Sequence, residues 1–165
     1  GYAYDTAQAS FELLARAELG HMPDFFEVKR YRVTVERRKN KYDRMVSLSE
    51  AVVVVKIGDR KMLSVSESMD GAGTDRGPVN ALARALAKDL GPYQRYIDDI
   101  RLVDFKVRIT QGGTEAVTRV IIDSEDDSGR RWSTVGVSAN IVDASFEALL
   151  DAVTWKLVRD GAPAS

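Results

Sequence analysis

The sequence predicts an α+β fold made of two pseudo-symmetric βββα units behind a connector helix, and three observations point there. Three strand-like runs followed by one helix-like run occur twice in the 165 residues. Ser49-Glu50-Ala51-Val52 recurs as Thr114-Glu115-Ala116-Val117. The two helical runs carry apolar stripes at identical steps, Val79, Leu82, Leu86, Leu90 and Phe146, Leu149, Val153, Leu157, the spacing of helices with one buried face.

The elements follow in order. Tyr4, Ala7, Phe11 and Leu14 recur at helical steps, and Gly20-His21-Met22-Pro23 ends that run, because glycine suits a helix C-terminus and proline cannot continue one. Residues 1–22 are therefore expected to form a connector helix and hinge outside the repeat. The first strand of unit one has Tyr31, Val33 and Val35 alternating with Arg32, Thr34 and Glu36, and its counterpart has Phe105, Val107 and Ile109, the period of two that buries one face. Ala51 to Ile57 and Ala116 to Ile122 are nearly continuous β-branched runs, as strands covered on both faces would be. Third strands are expected at about Lys61 to Glu67 and at Arg131 to Ser138. Pro78 suits the first turn of the helix that follows, and Asp143 is the expected N-cap of the second helix. Unit one spans about 25–91 and unit two about 101–160 within a domain of 23–160, and 161–165 is a tail.

Composition narrows the function. Lys and Arg total 24 against 25 Asp and Glu, a net charge of −1, which supplies no global field for nucleic acid or an anionic membrane. There is no cysteine, which removes disulfides and thiolate chemistry and fits a cytoplasmic protein. No apolar run approaches the roughly 20 residues that span a bilayer, and the first residues lack the plan of a signal peptide. The chain does not start with methionine and reads as a fragment of something longer.

Catalysis has little support. His21 is the only histidine, so neither a Ser-His-Asp arrangement nor a two-histidine metal site is expected, and no catalytic or metal-ligating residue is assigned. Asp98-Asp99 and Glu125-Asp126-Asp127 read as solvated turns rather than as ligands of a hard cation. The loop of Gly71, Gly73 and Gly77 before a helix is either an anion cradle or a mobile connection; it lacks the lysine and hydroxyl of a P-loop. Lys29, Arg30, Arg32, Arg37, Arg38, Lys39, Lys41 and Arg44, with Tyr31 and Tyr42 interleaved, form the densest basic stretch. It reads as a solvated or subunit-facing strand surface, the alternative being a free-standing module that binds RNA through it.

Gly136-Val137-Ser138-Ala139-Asn140-Ile141 followed by Ala144-Ser145, and Gly77-Pro78-Val79-Asn80-Ala81-Leu82 in the first unit, resemble the strand-to-helix signatures of the C-terminal regulatory domain in the α-isopropylmalate synthase and citramalate synthase family. Ala9-Ser10-Phe11-Glu12-Leu13-Leu14 resembles that family's connector from the catalytic barrel. Phe25-Phe26-Glu27 with Tyr31-Arg32-Val33 is closer to the citramalate branch. The resemblance implies a regulatory and dimerisation domain that binds a branched-chain amino acid, isoleucine or leucine, as feedback inhibitor. Its partners would be a second copy of the chain and the catalytic barrel of the same polypeptide, with no nucleic acid and no membrane. No cofactor is expected within 1–165; the divalent metal and acetyl-CoA implied by the family belong to the absent barrel.

The resemblance implies an effector slot on the first strand of unit two, where Leu102, Phe105 and Ile109 are apolar, with Ala116 and Thr118 beside them, and the effector's carboxylate is expected near Ser138, Ala139 and Asn140 where a helix begins. Gly77 and Pro78 are further loop contacts implied by the resemblance.

Overall fold

The computed structural model describes residues 7–71 and 76–165. They form two compact units, one of Phe26–Gln94 and one that joins the residues up to Phe25 to Arg95–Ala164. Among the described residues no helix is long and apolar enough to cross a membrane.

In the Phe26–Gln94 unit, β1 (Glu27–Lys39), β2 (Met45–Ile57) and β3 (Arg60–Gly71) form an antiparallel sheet in the order β1-β2-β3. Helix α2 (Arg76–Lys88) covers one face. That face carries Ala51, Val53 and Val55 from β2, and α2 answers with Val79, Ala81, Leu82, Ala85 and Leu86, all buried. Pro78 lies in the first turn of α2 as its sequence position implies. The edge strand β3 is guarded by basic side chains of α2: Lys88 Nζ donates to the Val65 carbonyl (2.7 Å) and Arg84 to the Glu67 carbonyl (3.1 Å), which blunts an otherwise pairable edge. A 3₁₀ turn at Gly91–Tyr93 and the one-turn helix α3 (Gln94–Ile97) follow.

The second unit repeats the plan with β4 (Arg101–Gly112), β5 (Glu115–Glu125), β6 (Arg131–Ser138) and α4 (Ile141–Arg159), in sheet order β4-β5-β6. Helix α1 (Gln8–Glu18) packs in this unit, against α4 and β6. The α1 face that the sequence marks as apolar is the outward one: Phe11 is 64% and Leu14 59% exposed, whereas Ala9 and Leu13 are buried against Trp132 and Trp155. The expected glycine stop is present. Gly20 has φ +70°, Gly20 N–H donates to the Ala17 carbonyl and His21 N–H to the Arg16 carbonyl, a Schellman closure.

The strand ladders correct the repeat register. Each first strand has a bulge, between Val28 and Arg30 and between Leu102 and Asp104, so Val28 corresponds to Leu102 and their partners Val55 and Ser124 correspond as well. Second strands are thus offset by 69, and Ala51 matches Val120 rather than Ala116. The cause lies in the hairpins. β1 and β2 are joined by the five residues Asn40–Arg44, whereas β4 and β5 turn through Gly113-Thr114 alone. In the third strands the pairs Val53↔Ser64 and Ile122↔Thr134 set an offset of 70. The connection expected over Arg38 to Ser47 shrinks accordingly, because β1 runs to Lys39 and β2 starts at Met45.

Candidate functional site

The strand-to-helix corner after β6 is built by its own side chains. Asn140 is extended (φ −118°, ψ 130°) and its Oδ1 accepts from the amides of Val142 (2.7 Å) and Asp143 (3.4 Å). It is therefore the N-cap, and Asp143, expected in that role, stands in the first turn where its charge favours the positive helix end. Ser138 Oγ accepts from the Asn140 amide (3.3 Å), so its own O–H remains a donor.

Pairing brings part of the expected slot to this corner. Ile109 on β4 faces Thr118 on β5, which faces Ser138 on β6. These three form one row across the sheet, on the α4 side, with Ala116 in the next row opposite Gln111. Phe105 shares the face but pairs with Ile122, roughly 13 Å along the strand from Ile109 at about 3.3 Å per residue. Leu102 pairs with Ser124 at the far end of the sheet, roughly 23 Å from Ile109. One amino acid at the Ser138 corner reaches the Ile109 row and not Leu102.

Helix α4 packs chiefly on β6 and β5 rather than on β4. Its close seat is set by Gly136, where a Cβ would come within 1.8 Å of the Ala144 carbonyl oxygen, and by Thr134 Oγ1, which donates to the Ala148 carbonyl (2.7 Å). The less covered strand shows: Ile109 is 66% exposed while Thr118 is 6% exposed. The row is thus an apolar ledge with a hydroxyl at its far end, beside a helix start. Because Asn140 Oδ1 occupies the amides of Val142 and Asp143, and the Asn140 backbone amide donates to Ser138, a carboxylate at this corner has the Ser138 hydroxyl and the Asn140 side-chain NH2 as donors.

Gly77 and Pro78 lie in the first turn of α2, in the other compact unit. The loop expected between Gly71 and Gly77 falls outside the described residues at 72–75. Three of the eight basic side chains of the densest basic stretch are paired locally. Lys29 pairs with Glu27 (3.2 Å), Arg38 with Glu36 (3.7 Å) and Lys39 with Asp43 (3.5 Å), and Tyr31 turns to the half-buried side.

The acidic turn after β5 is not simply solvated. Asp126 is 1% exposed; its carboxylate accepts from Ser128 Oγ (2.6 Å), from Arg130 (2.8 and 3.0 Å) and lies 3.2 Å from Lys156 Nζ. Burial alone would raise its pKa, but the bonds from Ser128, Arg130 and Lys156 outweigh it and hold the carboxyl well below the usual range. Lys156, itself 5% exposed, also binds Asp160 (2.6 Å) and Asp99 (3.6 Å). The signal available in the sequence was a lysine among the buried positions of α4. Another perturbed carboxyl lies under α1. Burial pushes Asp151 up to about 6, against the bond donated by Ser10 Oγ (2.7 Å), with Glu147 adding like-charge repulsion.

The family described as LeuA allosteric (dimerisation) domain matches residues 5–157. The chain is 43% identical over 159 residues to an (R)-citramalate synthase of Geobacter sulfurreducens, covering 95% of this chain and 28% of that protein. It is 41% identical over 168 residues to an (R)-citramalate synthase of Streptomyces coelicolor, covering 99% and 29%. A 2-isopropylmalate synthase of Methanocaldococcus jannaschii is 31% identical over 126 residues, covering 72% and 23%. The chain thus spans somewhat over a quarter of the length of the citramalate synthases it matches, and it is nearer to them than to that 2-isopropylmalate synthase.

Proposed function

The chain belongs to the LeuA allosteric (dimerisation) domain family, and from that premise we propose that it binds a branched-chain amino acid, isoleucine or leucine, as feedback inhibitor of a citramalate synthase-like acyltransferase. The observation that carries the reading is the Ile109–Thr118–Ser138 row, left open by α4 and ending beside Asn140. The ledge suits a branched aliphatic side chain, and the Ser138 hydroxyl and Asn140 side-chain NH2 suit its carboxylate.

In this reading the chain forms a homodimer in the cytoplasm and acts on a catalytic barrel in the same polypeptide. The divalent metal and acetyl-CoA of the parent reaction belong to that barrel. Inhibition then requires the effector to bind one arrangement of the whole enzyme more tightly than another, because equal affinity for both shifts nothing.

Calorimetric titration with isoleucine, leucine and valine tests the reading. Saturable heat is expected for isoleucine or leucine, with discrimination of about 10- to 200-fold against a ligand differing by one methylene. Ile109 is exposed, so Ile109→Gln should keep the fold and weaken binding by about tenfold or more, the worth of roughly 1.4 kcal/mol. An unchanged isotherm in that variant would place the effector elsewhere.

A further inference from the structure

A second site emerges beside α1. A cleft of about 630 Å³ is lined by residues of α1, β5, β6 and α4, none of them from the Ile109 row. Its volume lies within the range of small-molecule sites. Part of its wall is an aromatic pair: Trp132 and Trp155 stack with centroids 4.9 Å apart. Each is fixed by its ring N–H, Trp132 to the Ala152 carbonyl (3.1 Å) and Trp155 to Glu12 (2.9 Å).

Two of the guanidinium groups there are underused. Arg131 stands 3.6 Å from Glu125 and Arg159 3.7 Å from Glu12, with side chains 65% and 49% exposed. Pairs so long and so exposed contribute little, which leaves N–H donors for a ligand. Arg159 is nonetheless positioned, because its guanidinium sits over the Trp155 ring at 5.2 Å. Arg130 differs, since Asp126 and Asp160 already hold it. Acceptors are scarcer. Both oxygens of Glu12 are engaged, by Arg16 and by Trp155. Asp123 Oδ1 takes the Ser133 hydroxyl, and among the described residues Asp123 Oδ2 has no hydrogen-bond partner. A polyanion would meet both carboxylates, whereas a monoanion that also carries a donor matches the chemistry of a lining with open guanidinium donors and one open carboxylate oxygen.

We propose that this cleft binds a small carboxylic acid with a hydroxyl or ammonium group near its carboxylate, the carboxylate on Arg131 and Arg159 and the donor on Asp123. The site goes beyond the effector row and does not depend on it.

The chain's two tryptophans both line the cleft, so its intrinsic fluorescence reports directly on occupancy. The probes are lactate and malate for the hydroxyl class, alanine and isoleucine for the ammonium class, and acetate and orthophosphate as anions without that donor. A saturable change is expected with one donor-bearing class, about tenfold tighter than with acetate. It should be lost in R131Q/R159Q, whose side chains are exposed, and kept in Ile109→Gln. Asp123→Asn should reduce the preference over acetate. Equal response to acetate or orthophosphate, persistence in R131Q/R159Q, loss in Ile109→Gln alone, or no saturation with any probe would each overturn the assignment.

Discussion

Gly136→Ala places the new Cβ 1.8 Å from the Ala144 oxygen, 2.8 Å from its carbonyl carbon and 3.0 Å from Ala148 N. Ordinary contacts begin at 3.4 Å, so β6 and α4 must part by about 1.6 Å (3.4 − 1.8). The obstacle is helix backbone, which has no rotamer to escape into. Overpacking alone costs about 1–3 kcal/mol, and separation also breaks the buried Thr134–Ala148 bond, worth about 1 kcal/mol. A loss of about 2–4 kcal/mol is expected, measured by urea unfolding followed through Trp132 and Trp155, which belong to the affected unit. Ser66 is the ladder counterpart of Gly136, paired with Ala51 as Gly136 pairs with Val120, and it already carries a Cβ. Ser66→Ala should therefore lie within about 1 kcal/mol of wild type, the worth of one hydrogen bond. A Gly136→Ala variant as stable as that one would refute the close-packing account.

Two further predictions concern buried charge. Lys156→Met leaves Asp126 and Asp160 without their shared ammonium and should cost about 3–5 kcal/mol at pH 7, read from the same denaturation curves; a loss below about 1 kcal/mol would mean Arg130 suffices. Folded Asp151 keeps its proton up to about 6, whereas the unfolded chain releases it near 3.8, so its contribution to stability falls as pH rises between those values and is flat above. The full swing is about 1–3 kcal/mol given its partial burial. Asp151→Asn should flatten that part of the pH–stability profile, and an unchanged slope would assign it to another group.

The element types were legible because period-two and helical spacing survive in the residues themselves: the third strand of the second unit falls at Arg131–Ser138, and both helical stripes are buried. The register of the repeat was not. Sliding β5 against β2 by four residues keeps the same side chains on the same face, since any even shift does, so Thr114-Glu115-Ala116-Val117 imitates Ser49-Glu50-Ala51-Val52 without occupying its place. Hairpin length decides the matter, and Asn40–Arg44 versus Gly113-Thr114 becomes visible only through the paired strands. The outward stripe of α1 misled for a related reason. Phe11 and Leu14 are apolar at helical spacing, yet the contact with Trp132 and Trp155 is made by Ala9 and Leu13 on the neighbouring face of the helix. Of the expected slot, Ile109, Thr118 and Ser138 share a row, while Leu102 stands at the far end of the sheet, a distance that sequence adjacency hides.

The corrected register also distinguishes the two halves as ligand sites. The row of Ile109, Thr118 and Ser138 corresponds in the other sheet to Val35, Ser49 and Ser68, which pair in the same way. Each half presents an exposed apolar residue on its first strand, Ile109 at 66% and Val35 at 53%. Isoleucine for valine gives the second row one more exposed carbon, worth about 0.8 kcal/mol when an aliphatic ligand covers it, whereas Thr118 and Ser49 are both already buried. That difference favours the second row by about fourfold. The helix seats differ as well: a glycine on the strand lets α4 come close, whereas the first unit has Ser66 on the strand and Gly77 on the helix, where the second unit has Ala144. Small size has moved from one partner to the other. A fold that repeats its strands and helices need not repeat its binding preference, and the residues that break the symmetry favour an apolar effector at the Ile109 row.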